Sequence, residues 1–161
     1  MTNDLKSKLD NWKFQRSLAL DVLKSLTDEQ LSLTVGKNMG TLGEQFRHMA
    51  RVQIQYTEAI KNKKIGQTEK KIDPSIARSK EKLLELWEQA NKEMLGVLGG
   101  LSDQETKDLV IDWKYWGIES MNLSSHLDAL LDHENLHNGQ IIVYLRTHEI
   151  PLPKSWEAWG L

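Results

Sequence analysis

His133-Glu134-Asn135-Leu136-His137-Asn138-Gly139-Gln140 is the stretch on which the reading of this chain turns. Two imidazoles stand four residues apart in a segment whose apolar spacing is helical. At 3.6 residues per turn, i and i+4 lie on one face about one turn apart, so both rings can approach one metal ion. The run falls inside a long last helix, expected from near Asn122 to about Thr147, with Pro151 beyond its end. Such a pair also arises by chance, or as core histidines held by hydrogen bonds, so its surroundings carry the decision.

Outward from this run, helical periodicity holds almost throughout. A first helix is expected from about Asp4 to Leu26, with Leu5, Leu9, Trp12, Leu20 and Leu23 on its inward stripe. Gly36 to Gly40 interrupts the pattern. Thr41-Leu42-Gly43-Glu44 then reads as a capping box, Thr capping the new helix and Glu reaching back. That second helix spaces Leu42, Phe46, Met49, Gln53, Tyr56 and Ile60 by threes and fours and should end near Lys63. A polar loop follows across Gly66 and Pro74, and the mixed run Lys61 to Lys71 reads as solvated. A third helix, about Ser75 to Leu98, buries Leu83, Leu86, Trp87, Met94 and Leu98 before Gly99-Gly100 stops it. Ser102-Asp103-Gln104-Glu105 caps a short turn, and Leu109 to Trp113 looks extended. Four long helices, with one irregular crossover before the last, define an all-α four-helix bundle as a single domain over residues 1–161.

Composition narrows the function classes. Lys and Arg number 21 and Asp and Glu 23, a net charge of -2, so no basic surplus points to nucleic acid. Cysteine is absent, which excludes disulfides, thiolate zinc sites and a catalytic Cys. The start, Met1-Thr2-Asn3-Asp4-Leu5-Lys6, has no apolar core of a signal peptide, and no apolar run reaches membrane-spanning length. A cytoplasmic protein without a membrane partner is the expectation.

His133 to His137 also matches H-E-x-x-H, the zinc metalloprotease signature in which Glu is the general base. The third ligand of that design is missing. No His follows six residues after His137, and Glu157, twenty residues on, lies in the short Pro-rich tail from Pro151 to Trp159. No second lobe is expected within the 161 residues to form a substrate cleft. Glu134 is then open to three roles, a partner behind the ligands, a general base or a surface carboxylate, and the reading favours a non-catalytic one. His48 on the second helix is the alternative third ligand: spacing alone leaves it either a ligand or a boundary histidine. His126, seven residues before His133, is about 10 Å along the axis and reads as structural. His148 sits at the helix end, facing solvent or the helix dipole. Trp113, Tyr115, Trp116, Trp156 and Trp159 fall in irregular segments that cover a bundle end, wall a pocket or form a dimer face.

Thr41-Leu42-Gly43-Glu44-Gln45-Phe46-Arg47-His48-Met49-Ala50 resembles the second-helix motif of the DinB/YfiT-like superfamily. His133 to Ile141 is similar to its last-helix signature, His-x-x-x-His-(Arg)-Gly-Gln, and Pro151-Leu152-Pro153 with Trp156 resembles its usual ending. Asn138 stands where the family often has Arg, so any role of that Arg does not carry over. The resemblance implies an up-down-down-up bundle and assigns His48, His133 and His137 as ligands of a divalent metal ion, zinc first, with nickel, iron or copper as alternatives. It also implies a homodimer and a small-molecule substrate. Three neutral imidazoles with an open position acidify a bound water or thiol. The resemblance implies thiol-dependent S-transfer of the bacillithiol type, with a low-molecular-weight thiol as partner, or metal-dependent hydrolysis, with transfer set slightly ahead. A non-catalytic metal-binding stress-response dimer is the alternative.

Overall fold

The computed structural model describes residues 2–67 and 71–161. The long helices are α1 (Asn3–Ser25), α2 (Leu42–Asn62), α3 (Lys80–Gly99) and α5 (Leu123–Thr147), with the short α4 (Asp103–Asp108) between the last two. Each start has a polar cap. Thr2, Thr41, Ser79, Ser102 and Asn122 each accept a backbone N–H of the first turn, and Thr41/Glu44 and Ser102/Glu105 close complete capping boxes.

Side-chain pairs set the helix directions. Lys8 meets Asp128 and Arg16 meets Glu134, so α1 and α5 ascend together. Trp87 donates to the Phe46 carbonyl and Gln53 to Asn91, so α2 and α3 are also parallel. Gln45 lies near His137 and Tyr56 near His126, which makes α2 antiparallel to α5. The helices therefore run up, down, down and up. The crossover carries β1 (Val110–Asp112) and β2 (Ser120–Asn122), paired antiparallel with Ile111 opposite Met121.

The core has two apolar parts. One gathers Leu18, Val22, Phe46, Met49, Trp87, Ile141, Tyr144 and Trp156; the other gathers Leu5, Leu9, Trp12, Ile60, Met94, Ile111, Trp113, Leu123 and Leu127. Between them, α1, α2 and α5 contribute the buried polar residues Gln15, Arg16, Gln53, Glu134, His137 and Asn138. The site lies in this polar layer.

Several expectations need correction. The third helix does not begin at Ser75. Asp73 caps a separate 3-10 turn, Pro74–Arg78, and extended Ser79 (φ -132°, ψ 117°) breaks the chain before α3. Leu20 is only partly buried; the inward residues around it are Leu18, Ala19, Val22 and Leu23. The run Lys61 to Lys71 is not uniformly solvated: Lys61 lies in the last turn of α2, Ile65 is buried, and Lys63 and Ile65 hydrogen-bond the backbone of Asp112. Its residues 68–70 lie outside the described residues. His148 does not simply face solvent, since its Nε2 is 3.0 Å from the Thr34 carbonyl oxygen. Tyr115, Trp116 and Trp159 are exposed, whereas Trp113 and Trp156 are buried plugs.

Candidate metal centre

His48 projects from α2 and His133 and His137 from the antiparallel α5. The Nε2 atom of His133 is 3.1 Å from Nε2 of His48 and 3.1 Å from Nε2 of His137. The same ring atom of each histidine thus points to one spot. These three form a group that could hold a metal ion, with all donor atoms within 4.8 Å of one another. Donor nitrogens held 2.0–2.1 Å from a shared ion stand roughly 3.0–3.4 Å apart, a range that both separations from His133 fall within.

The protonation states fit as well. Gln45 Oε1 lies 3.1 Å from His137 Nδ1, an arrangement that keeps the proton on Nδ1 and leaves the Nε2 lone pair free. Gln45 in turn leans on Tyr144, whose hydroxyl donates to the Gly40 carbonyl. Burial is the main cause that lowers the basicity of all three rings. His48 is pushed down to about 4 by burial, then by His137, Arg51 and Arg47. His133 is pushed down to about 3 by burial, then by His137, His48, Arg16 and Arg51. His137 is lowered by burial too. The rings are neutral near pH 7, with three lone pairs crowded together. A shared N–H bridges such a cluster weakly, whereas a divalent cation satisfies all three donors at once.

Glu134 points away from this spot. It is fully buried and faces α1, where Arg16 Nη1 donates to its two carboxylate oxygens at 2.8 and 3.2 Å. The guanidinium carbon of Arg16 lies 3.4 Å from the Trp87 ring centroid. Burial pushes the Glu134 carboxyl up and the Arg16 guanidinium down, and each partner opposes the other's shift. A carboxylate so engaged cannot reach a substrate on the histidine face, which removes the general-base role and also the surface role. Glu157, the other carboxylate of the protease alternative, is exposed on the tail's 3-10 turn. Asn138 is buried too, and its amide donates to the Gln15 carbonyl at 3.0 Å, so it is spent on the α1–α5 seam.

His126 is held apart from the group. Its Nδ1 accepts from the Trp113 indole at 3.2 Å, and its Nε2 donates to the Tyr56 carbonyl at 3.1 Å. Burial pushes it down to about 4. It is a neutral structural histidine.

Arg16 and Gln45 were missed from sequence. Arg16 had a signal: Leu5, Leu9, Trp12, Arg16, Ala19 and Leu23 continue one alternating four-three stripe, which puts a cation on the buried face. Gln45 had only its position three residues before His48, one turn away on the same helix.

A parallel-and-antiparallel helical bundle with three histidines converging from two of its helices defines the class of protein. The DinB family profile matches residues 1–148, and the chain belongs to the DinB family. A DinB-like protein from Bacillus cereus ATCC 10987 has a similar fold, with a TM-score of 0.74 and 23% identity over 92% of this chain and 95% of that one. A DinB-like protein from Bacillus subtilis gives a TM-score of 0.69 and 17% identity over 92% and 97%. No curated protein matches the sequence. Among the described residues, no helix is long and apolar enough to cross a membrane.

Proposed function

We propose that this chain is a metal-dependent enzyme of small-molecule chemistry, with His48, His133 and His137 as the ligands of one divalent ion. The observation that carries the reading is the convergence of three histidines, with His133 Nε2 3.1 Å from the Nε2 atoms of both His48 and His137, on rings that burial keeps neutral. An all-nitrogen ligand set suits zinc, with nickel, iron and copper as alternatives. When bound, the ion supplies Lewis acidity, which makes a water or a thiol nucleophilic near neutral pH. The chain's own residues do the rest. His48 and His133 stand at the half-buried rim where a small molecule enters, Gln45 orients His137, and the Arg16–Glu134 pair braces α5 behind the site.

The absence of cysteine means that any reacting sulfur comes from the substrate, and thiol-dependent S-transfer is placed ahead of hydrolysis. A cytoplasmic homodimer using a low-molecular-weight thiol completes the proposal. Elemental analysis of wild type beside His137→Ala tests the ligand set: about one ion per chain in the first and its loss in the second supports it, and equal content in both rejects it. Metal-loaded protein should then consume chlorodinitrobenzene only in the presence of a thiol. Full metal content without turnover across several thiols and ester substrates would instead make this a non-catalytic metal-binding protein.

A further inference from the structure

Asp132, Leu136, Gly139, Val143 and Arg146 of α5 are all exposed. Their alternating spacing of four and three puts them on one outward stripe of the helix. Leu136 is 60% exposed, more than any other large apolar side chain among the described residues, and Val143 is 52% exposed. Gly139 stands in the middle of the same stripe. Glycine inside a helix costs stability relative to alanine. Nothing in this chain requires it, since a Cβ built there would meet no atom of the described residues within 4 Å. Asp132 and Arg146 close the two ends of the stripe. Among the described residues, neither makes an ion pair. The order acid, leucine, glycine, valine, base complements itself when reversed. Asp132 and Arg146 each lie seven residues from Gly139, about 10 Å along the axis. A second copy laid antiparallel, Gly139 on Gly139, sets each Asp132 against an Arg146 and each Leu136 beside a Val143. A two-fold axis makes both pairings twice. A parallel crossing would instead set Asp132 on Asp132 and Arg146 on Arg146.

We propose that this stripe is the contact between two copies of the chain, with their α5 helices crossing antiparallel at Gly139. The missing Cβ lets the two backbones approach closely, and Leu136 and Val143 leave water against the second copy. The ion pairs at both ends fix direction and register more than they add affinity. Asp132 precedes His133 and Leu136 lies three residues after it, so the contact borders the histidine group. The stripe gives the homodimer of the proposed function its face, and rests on that reading.

The chain has no cysteine, so a single introduced one reports its own neighbours in full-length protein. Gly139→Cys should form a covalent dimer under mild oxidation, because a disulfide needs Cα atoms about 4.4–6.8 Å apart and the crossing brings residue 139 onto itself. Lys92→Cys, exposed on α3, should not cross-link in the same treatment. Sedimentation equilibrium should show wild type as a dimer. Asp132→Arg and Arg146→Asp should each weaken it by about tenfold or more, and the double exchange Asp132→Arg/Arg146→Asp should return to within about threefold of wild type. The exchanged side chains are exposed, and circular dichroism checks that each variant keeps its helices. A dimer in which Gly139→Cys does not cross-link, or in which the double exchange does not recover what the single variants lose, overturns this face and leaves the homodimer reading standing. A monomeric wild type overturns both.

Discussion

Arg16 and Glu134 form a fully buried ion pair, 2.8 Å from Nη1 to Oε1, with Glu134 next in the chain to His133. Glu134 is the residue that gives the last helix its protease-like pattern. Its partner lies 118 positions away. Removing one charge of a buried pair leaves the other uncompensated, so Glu134→Gln should cost about 3–5 kcal/mol of stability in urea unfolding. The double variant Arg16→Met/Glu134→Leu should regain most of that loss. If Glu134 were instead a general base, Glu134→Gln would leave stability near wild type.

Gln45 holds His137 through a 3.1 Å contact to Nδ1. Gln45→Leu should weaken metal binding by about 10–100-fold in chelator competition. Gln45→Glu keeps an acceptor at the same place and should bind at least as tightly as wild type. A role in packing alone would affect both variants alike, so equal loss in the two would refute the contact.

His126 has a folded-state pKa pushed down to about 4 by burial, below the ordinary 6.5. The unfolded chain therefore binds a proton as pH falls through about 6.5, while the folded chain does not until about 4. Its contribution to stability is present above the unfolded value and is lost progressively as pH drops towards the folded value. For metal-free protein this should remove about 1–2 kcal/mol between pH 7 and pH 5, seen in urea midpoints. The three site histidines are depressed in the same sense and add to the slope. His126→Gln, which can still accept from Trp113 and donate to Tyr56, should flatten the profile; an unchanged slope would show that His126 titrates normally.

Gly43 admits the 3-10 turn against the start of α2. A Cβ there would stand 1.9 Å from the Ala77 carbonyl oxygen and 3.2 Å from Leu31 Cβ. Gly43→Ala should destabilise by about 2–4 kcal/mol because the obstruction is backbone, which cannot rotate away. A thermal midpoint within 2 °C of wild type, roughly the shift of 0.5–1 kcal/mol in a chain of this length, would contradict this.

Much of the architecture was legible because helix signals are local. Capping residues lie within four positions of what they cap: the Thr41–Glu44 capping box and the Gly99-Gly100 stop stand where the sequence places them, and the cap expected at Ser102 opens α4. The start of α3 was not legible. Pro74 and Ser79 are both acceptable openings, and the choice follows from how the 3-10 turn packs on Gly43 rather than from propensity. His133 and His137 announced themselves by spacing on one helix. His48, 85 residues from His133, had no such local cue and was paired with them only by resemblance.

By itself the sequence determined the four long helices apart from the start of α3, the caps at Thr41 and Ser102, the absence of sulfur ligands and the shared face of His133 and His137. These follow from helical period and composition, which act over a turn or less. Only the tertiary structure decided that α1 and α5 run parallel, that α2 lies antiparallel beside α5, and hence that Glu134 turns to Arg16 while His48 turns to His133. Those outcomes depend on which faces of separate helices are buried together. That is a property of the whole packed core, and no window along the chain contains it.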